Sequence, residues 1–137
     1  MTTGSETDPN GLGQHEAGAK LDAGKPLPAT VLGSFGRALK SVTLVGTYGA
    51  KKYSKHGWLH VPNGEDRYYE AFFRHLLDYM TGAWLDKESN MPHIDHAIWN
   101  LLALRELQLR GQEYAEEALL DNAVQDSITL ANNYEDK

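Results

Sequence analysis

Apolar residues recur every three or four positions along most of this chain, which is the spacing that places side chains on one face of a helix. The pattern covers residues 29–46, about 65–85 and 92–111, and it continues more weakly over about 112–131. No stretch of any length alternates apolar and polar residues as a half-buried strand would. The sequence therefore predicts an all-α fold, a compact bundle of about four helices with a long loop between the first and the second.

Residues 1–19 are rich in Gly, Thr, Glu and Asp, and they offer almost nothing to bury. They are predicted to form a flexible, disordered tail. A single domain is expected to follow over residues 20–132, with an extended entry segment at 20–28, where two prolines oppose helix formation. The loop at residues 46–64 combines lysines with aromatic residues, and a connector of this length is usually functional or mobile.

Composition narrows the classes of partner and site. A formal net charge of −6 does not favour broad binding to DNA or RNA. The chain has no cysteine, which excludes disulfides, zinc fingers and cysteine nucleophiles. No apolar run approaches the ~20 residues that span a bilayer, and the first residues form no signal region. We therefore expect a cytoplasmic protein with no polymeric nucleic acid and no membrane as partner.

Two short polar patterns are the strongest indication of a functional site. His75 and Asp78 lie three residues apart in the second predicted helix, as do His93 and His96 in the third. Residues at this spacing share a helix face, so two antiparallel helices could bring all four groups together. Imidazole and carboxylate donors suit Mn²⁺, Fe²⁺ or Zn²⁺, whereas Mg²⁺ would depend on the carboxylate and on substrate phosphates. The alternative is that these histidines are surface residues or hydrogen-bonded core residues.

Further polar residues extend both patterns. Glu70, Arg74 and Asp78 lie at intervals of four on the second helix, and Asn100 continues the stripe of the third. The alternative for the charged trio is a solvated ladder of ion pairs, each contributing about a few tenths of a kcal/mol. The second polar stripe on the next helix favours a shared site instead.

Basic and aromatic residues stand together in the loop and in the entry segment. In an acidic protein, lysines beside tyrosine and tryptophan indicate an anionic ligand with a flat ring, such as a nucleotide. The alternative is an ordinary basic loop in which the tryptophan anchors the chain to the core. The residues concerned are Lys20, Lys25, Lys51, Lys52, Lys55, Tyr53 and Trp58.

Taken together, five segments resemble motifs of a small phage and prophage family of dATP/dGTP diphosphohydrolase-like proteins, which is similar in turn to the all-α NTP pyrophosphatases of the MazG type. These segments lie at residues 18–26, 48–53 with Trp58, 67–69, 74–77 and 93–100. The resemblance covers about residues 18–111. It implies a helical bundle, often dimeric or tetrameric, that hydrolyses the α–β phosphoanhydride of an NTP or dNTP. The products would be a nucleoside monophosphate and pyrophosphate, and the reaction would adjust the nucleotide pool, in the host cytoplasm if the chain is phage-encoded.

The resemblance also implies a metal motif of Glu-x-x-Glu on one helix and Glu-x-x-Asp on the next. By spacing, His75 and Asp78 fall at the first pair, and His93 and His96 fall at the second. Histidines thus replace three of the four carboxylates. This replacement widens the expected divalent metal from Mg²⁺ or Mn²⁺ to Fe²⁺ or Zn²⁺.

If the chain is an enzyme, the expected roles follow from metal-assisted hydrolysis of a phosphoanhydride. Asp78 and the histidines would hold the metal, and Glu70 or a free histidine would accept the proton of the attacking water. Arg74 and the loop lysines would neutralise the leaving pyrophosphate, while an aromatic ring would hold the base. The predicted substrate-binding residues are Lys20, Lys25, Lys51, Lys52, Tyr53, Trp58 and Asn100.

Two other interpretations stay open. The chain could be a non-catalytic phage binding protein, a sponge for a nucleotide or nucleotide-derived signal, which would need the lysines and aromatic residues but no metal. The four metal-binding groups could instead form a structural clip, or plain polar packing in a helical interaction protein. In each case the wide apolar faces of the second and third helices indicate a homo-oligomer, a dimer or a tetramer.

Overall fold

The structure is a computed structural model that describes residues 5–135, with side chains described for 5–111 and 116–133. A short 3-10 helix, Gly57–His60, lies among longer helices, and one isolated bridge joins Leu85 to Pro92. The described residues contain no strand, so the predicted all-α class is confirmed. The α-helices of this range are α1 (Pro28–Gly33), α2 (Gly36–Lys52), α3 (Gly64–Met80) and α4 (His93–Glu135).

The helix predicted over residues 29–46 is wrong, because two helices occupy this region. A turn separates α1 from α2, and in it the backbone N–H of Phe35 donates to the Leu32 carbonyl at 3.0 Å. The predicted stop at Gly46 is also wrong, since α2 continues to Lys52. The loop that follows is accordingly shorter than predicted.

Close packing explains why a glycine stands at Gly46 inside α2. A Cβ built at this position would lie 2.7 Å from Trp99 Nε1, a separation that real Cβ atoms essentially never show. Glycine has no Cβ, so the helix backbone can approach the indole ring. The residue therefore marks a contact between α2 and α4 rather than a helix end.

The third and fourth predicted helices, residues 92–111 and 112–131, form the single helix α4 of 43 residues. Gly111 lies inside it. A glycine in a helix interior costs about 1 kcal/mol relative to alanine, but it does not by itself end the helix. No proline follows in the sequence to break the continuation. Among the described residues, no helix has the length and apolar character that a bilayer span requires.

The described part of the chain divides into two units, one that ends at Gly36 and one that begins at Arg37. In the first unit the carboxylate of Asp8 is buried and accepts three backbone hydrogen bonds. The segment predicted as a tail, residues 1–19, thus contains a hydrogen-bonded turn in its described part, and the predicted domain boundary at residue 20 stays a prediction. The donors to Asp8 are the N–H groups of Asn10, Leu12 and Lys20.

In the second unit α3 packs along α4 in an antiparallel arrangement. Gly64, at the start of α3, lies against Leu107 of α4, whereas His75, near the end of α3, contacts His93 at the start of α4. This arrangement places the two polar patterns at the same end of the helix pair. The buried apolar residues of this unit include Val42, Val45, Ala97 and Ala103.

An aromatic cluster holds the 3-10 helix against α3 and α4. The Trp99 ring meets Tyr68 edge-on with the centroids 5.7 Å apart, and it meets Trp58 in the same way at 6.1 Å. The Tyr68 hydroxyl donates to the Trp58 carbonyl at 2.7 Å. Edge-to-face pairs of this kind stabilise a core beyond the area they bury. The cluster therefore ties the chain before α3 to the helix pair that carries the histidines.

Candidate metal centre

The last turns of α3 and the start of α4 bring three histidines together. His75 Nδ1 lies 2.8 Å from His93 Nδ1, so one of these nitrogens donates a hydrogen bond to the other. The His75 ring also stacks on that of His96, with the centroids 4.4 Å apart and the planes 10° from parallel. His93 and His96 are buried, and His75 is half-buried. The two polar patterns of the sequence thus meet at one point.

Asp86 is a member of this cluster that the sequence analysis did not identify. One donor atom from each of His75, Asp86 and His93 lies within 4.8 Å of the other two. Asp86 belongs to the loop between α3 and α4, outside the helical periodicity on which the prediction depended. The signal that could have identified it is the Asp-x-x-Ser spacing of Asp86 and Ser89, which is typical of turns closed by a side chain.

Local hydrogen bonds give the loop its shape. The helix α3 ends at Met80, earlier than predicted, and Gly82 follows with a φ of 95°, a left-handed conformation that favours glycine. The backbone N–H of Asp86 donates to the Met91 carbonyl, and that of Asn90 donates to the Asp86 carbonyl, both at 2.8 Å. These bonds hold Asp86 beside the first turn of α4.

Ser89 connects Asp86 to His96. Its backbone N–H and its hydroxyl both donate to Asp86 Oδ2, each at 2.8 Å. Its Oγ also lies 2.7 Å from His96 Nε2. The Asp86 carboxylate is therefore tethered through one oxygen while it stays within reach of the imidazoles.

Burial and hydrogen bonding set the protonation state of the cluster. Burial, together with the neighbouring imidazoles of His96 and His93, lowers the pKa of His75 to about 4. Burial likewise lowers the pKa of His96. For Asp86, burial acts to raise the pKa, but the hydrogen bonds from Ser89 and the nearby histidines outweigh it and lower the pKa of that carboxyl. Near neutral pH, His75 is neutral and Asp86 is ionised, which are the forms that bind a metal.

This donor set fits a divalent cation. Two imidazole nitrogens and one carboxylate oxygen suit Zn²⁺, Mn²⁺ or Fe²⁺, and they leave positions for water and a phosphate oxygen. Metal–ligand bonds of about 2.1 Å place neighbouring donor atoms about 3.0–3.4 Å apart. The 2.8 Å between the Nδ1 atoms of His75 and His93 is close to that range, so a small movement of the rings would admit a cation in place of the shared proton. The residues that would hold it are His75, Asp86 and His93.

Two of the predicted ligands lie outside this group. His96 directs Nε2 to Ser89, and that nitrogen is 3.9 Å from Asp86 Oδ2. Asp78 is exposed, and its Oδ2 is 3.8 Å from His93 Nε2, on the other side of the ring from His75. Both distances are longer than a hydrogen bond. Metal ligation by His96 and Asp78 stays a prediction, and the group of three donors is complete without them.

The other polar residues of the two predicted stripes have different environments. Glu70 and Arg74 are exposed on α3. Asn100 is buried, and its side-chain amide donates to the His96 carbonyl at 2.8 Å. Asn100 thus stabilises the turn of α4 that carries His96. Its predicted contact with substrate stays a prediction.

Among the predicted substrate-binding residues, Lys52 is linked to the loop that carries Asp86. It forms an ion pair with Glu88, and the hydrogen bond between them raises the pKa of Lys52 and lowers the pKa of Glu88. Lys52 Nζ also lies 5.0 Å from the centre of the Tyr53 ring. Lys51 and Tyr53 are exposed at this end of α2. A basic and aromatic surface therefore lies next to the loop.

The remaining predicted substrate-binding residues lie elsewhere. Trp58 packs edge-on against Trp99, which is the arrangement expected from the anchoring alternative. Lys20 and Lys25 belong to the first unit, where Lys25 Nζ forms an ion pair with Glu6 at 2.8 Å. Their contacts with a nucleotide stay predictions.

The chain also matches a known family model. The family is described as dATP/dGTP diphosphohydrolase, N-terminal, and its model matches residues 15–117, more than half of the chain. The matched range includes the whole group of His75, Asp86 and His93. No match is found among curated proteins or among solved structures.

Proposed function

This chain belongs to the dATP/dGTP diphosphohydrolase N-terminal family, and from that premise we propose that it hydrolyses a (deoxy)nucleoside triphosphate to the monophosphate and pyrophosphate with a divalent metal. The family relationship supports hydrolysis of nucleoside triphosphates in general. The observation that carries the metal-dependent reaction is the convergence of His75, Asp86 and His93 within 4.8 Å. The reaction would take place in the cytoplasm and adjust the nucleotide pool there.

His75, Asp86 and His93 would hold the metal. A divalent ion bound there would polarise phosphate oxygens and lower the pKa of a bound water. Asp78 supports this role of His93, because its exposed carboxylate lies 3.8 Å from the ring nitrogen that points away from His75. A small rotation of Asp78 would bring it into hydrogen-bond range, and such a carboxylate fixes the orientation of a ligand histidine.

Charged side chains around the centre would receive the phosphates and the proton. Lys52 is held beside the loop by its ion pair with Glu88, while Lys51 and Arg74 are exposed and free to meet an anion. Positive groups in these positions stabilise the charge that develops on the leaving pyrophosphate. Glu70, exposed on α3 one turn before Arg74, would accept the proton of the attacking water.

A non-catalytic binder of a nucleotide or nucleotide-derived signal is the second candidate. Two observations favour it. Lys52 lies over the exposed ring of Tyr53, so that the two side chains together offer a positive charge and a surface for stacking. His75 and His93 already satisfy each other with a hydrogen bond, so the fold does not require a metal at this point.

We also propose that the functional form is a homo-oligomer. On α3, Tyr69, Phe73, Leu77 and Met80 follow one another at intervals of three or four, and all are exposed, Met80 to 68%. Among the described residues no large side chain is fully buried, so one chain does not close its own core. A second copy packed through the same stripe would bury it in a symmetric interface. Light scattering at several concentrations tests this, since a monomer at all of them would contradict it, whereas Leu77→Glu should dissociate an oligomer.

Release of pyrophosphate tests the proposed reaction directly. Each NTP and dNTP is incubated with the full chain and Mg²⁺, Mn²⁺, Fe²⁺ or Zn²⁺, and we expect monophosphate and pyrophosphate in equal amounts from at least one dNTP. EDTA should stop the reaction. No product with any nucleotide and any metal would reject the enzyme, and nucleotide binding that survives EDTA would then favour the binder. A metal that raises the melting temperature with no effect of nucleotide would favour the structural clip.

A further inference from the structure

We propose that Ser89 and His96 form a hydrogen-bonded relay that fixes Asp86 before a metal binds, so that both are positioning residues of the metal centre. The relay runs from His96 Nε2–H to Ser89 Oγ, and from Ser89 Oγ–H to Asp86 Oδ2. It rests on the proposed function, because it concerns the metal site named there. It also gives His96 a role other than that of a ligand.

The direction of the relay follows from the single proton of the Ser89 hydroxyl. Ser89 Oγ lies 2.8 Å from Asp86 Oδ2, and a carboxylate oxygen only accepts hydrogen bonds, so the hydroxyl proton points to Asp86. The 2.7 Å contact between Ser89 Oγ and His96 Nε2 then needs a proton on Nε2. The backbone N–H of Met91 also donates to Ser89 Oγ, at 3.3 Å. His96 is therefore the tautomer with its proton on Nε2.

The surroundings keep both ends of the relay in place. The His96 ring is buried and stacks on His75, which restricts its rotation. Asn100 donates to the His96 carbonyl and stabilises that turn of α4. At the other end, the backbone N–H of Ser89 donates to the same Asp86 oxygen at 2.8 Å. Asp86 is thus held by two hydrogen bonds from one residue.

A carboxylate held in this way does not have to be ordered when the metal binds. Its position within 4.8 Å of the donor atoms of His75 and His93 is set in advance. Partners that orient a metal ligand typically change the affinity by about 10- to 100-fold when they are removed. The relay should therefore contribute to metal affinity although neither Ser89 nor His96 touches the metal.

The first test measures Mn²⁺ and Zn²⁺ binding to the full chain by competition with a chelating dye. We expect Ser89→Ala to weaken binding by about 10- to 100-fold, and Ser89→Thr, which keeps the hydroxyl, to restore most of it. Ser127→Ala is the matched control, because the Ser127 hydroxyl donates only to the Ala123 carbonyl of its own helix. Unchanged affinity in Ser89→Ala, with a wild-type chain that binds metal, would overturn the relay and leave the proposed reaction standing.

The second test needs no metal. Long-range ¹H–¹⁵N correlations of the wild-type chain report which nitrogen of His96 carries the proton. We expect Nε2, and a shift towards Nδ1 in Ser89→Ala. A proton on Nδ1 of the wild-type ring overturns the relay. If the wild type binds neither Mn²⁺ nor Zn²⁺, the proposed metal site is wrong. The tautomer of His96 then shows by itself whether a relay holds Asp86: a proton on Nε2 supports the relay, and a proton on Nδ1 rejects it.

Discussion

Two aspartates in this protein accept hydrogen bonds within turns, but one serves the backbone and the other stands in a cluster of imidazoles. The Asp8 carboxylate accepts the N–H groups of three backbone amides, and these are its only described hydrogen-bond donors. Asp86 accepts the N–H and the hydroxyl of Ser89, and its carboxylate lies beside His75 and His93. The first turn is complete as it stands, whereas the second contains donors that can turn towards a metal.

The comparison shows which property distinguishes a candidate site from a structural turn. The hydrogen bond from the Lys20 N–H lowers the pKa of Asp8, and hydrogen bonds from Ser89 lower that of Asp86 against the opposing effect of burial. An ionised, hydrogen-bonded carboxylate is therefore not evidence of a site. The neighbours decide, because a backbone N–H group cannot ligate a cation, whereas an imidazole nitrogen can.

The largest expected effect is that of Asp86→Ala on metal binding. Removal of one of three ligands should weaken Mn²⁺ or Zn²⁺ binding by about 100-fold or more, beyond the loss expected from an orienting partner, and turnover should fall with it. Asp8→Ala is the matched variant, and it should leave metal affinity unchanged. Dye competition measures both. Equal losses in the two variants would show that the two aspartates do not differ in their role in metal binding.

Asp78→Ala should have a smaller effect, on turnover more than on metal affinity. If Asp78 orients His93 from outside the group, pyrophosphate release should fall by about 10- to 100-fold, while the fold stays intact because the side chain is exposed. A loss of metal affinity as large as that of Asp86→Ala would instead make Asp78 a ligand, as the sequence predicts. Unchanged activity would show that it has neither role.

Gly46→Ala separates stability from metal binding. The new Cβ would meet Trp99 Nε1 at 2.7 Å, so the free energy of unfolding should fall by about 1–3 kcal/mol. At Gly49, in the same helix, the added Cβ would have no neighbour within 4 Å apart from the adjacent residues and the backbone of its own helix, and Gly49→Ala should be neutral or stabilising by up to about 1 kcal/mol. Chemical denaturation measures both. Metal affinity should be the same in the two variants. A loss of metal affinity in Gly46→Ala alone would show that metal binding depends on the stability of the whole fold.

The smallest expected effect is the change that protonation of Asp8 causes in the first unit at low pH. The pKa of Asp8 is lower in the folded state than in the unfolded state. Its hydrogen bonds therefore contribute fully to stability at pH values above the unfolded-state pKa of about 3.9, and this contribution is lost as the pH falls through the folded-state pKa. The amide shifts of Asn10 and Lys20 should therefore change only below about pH 4, and Asp8→Asn should abolish this transition. A change centred above pH 4 would contradict the assignment.

Part of the candidate site is predictable from the sequence because it depends on local spacing. His75 and His93 each lie in a helix whose apolar periodicity is plain, and their approach needs only an antiparallel pair of helices. Asp86 and Ser89 have no such pattern, since their positions depend on bonds that the loop makes to itself and to α4. The spacing of Asp and Ser in the sequence can indicate such a turn, but it does not indicate which residues the turn lies against.

The sequence by itself determined that this protein is helical and which side chains share a helix face, because a repeat of three to four residues is a property of the local chain. Only the tertiary structure decided where helices continue and which donors meet. Gly46 continues its helix because Trp99, 53 positions later in the sequence, packs against it, and Gly111 lies within one long helix. Asp86 lies beside the histidines because contacts between residues distant in sequence position its loop. Such contacts leave no pattern in the local sequence.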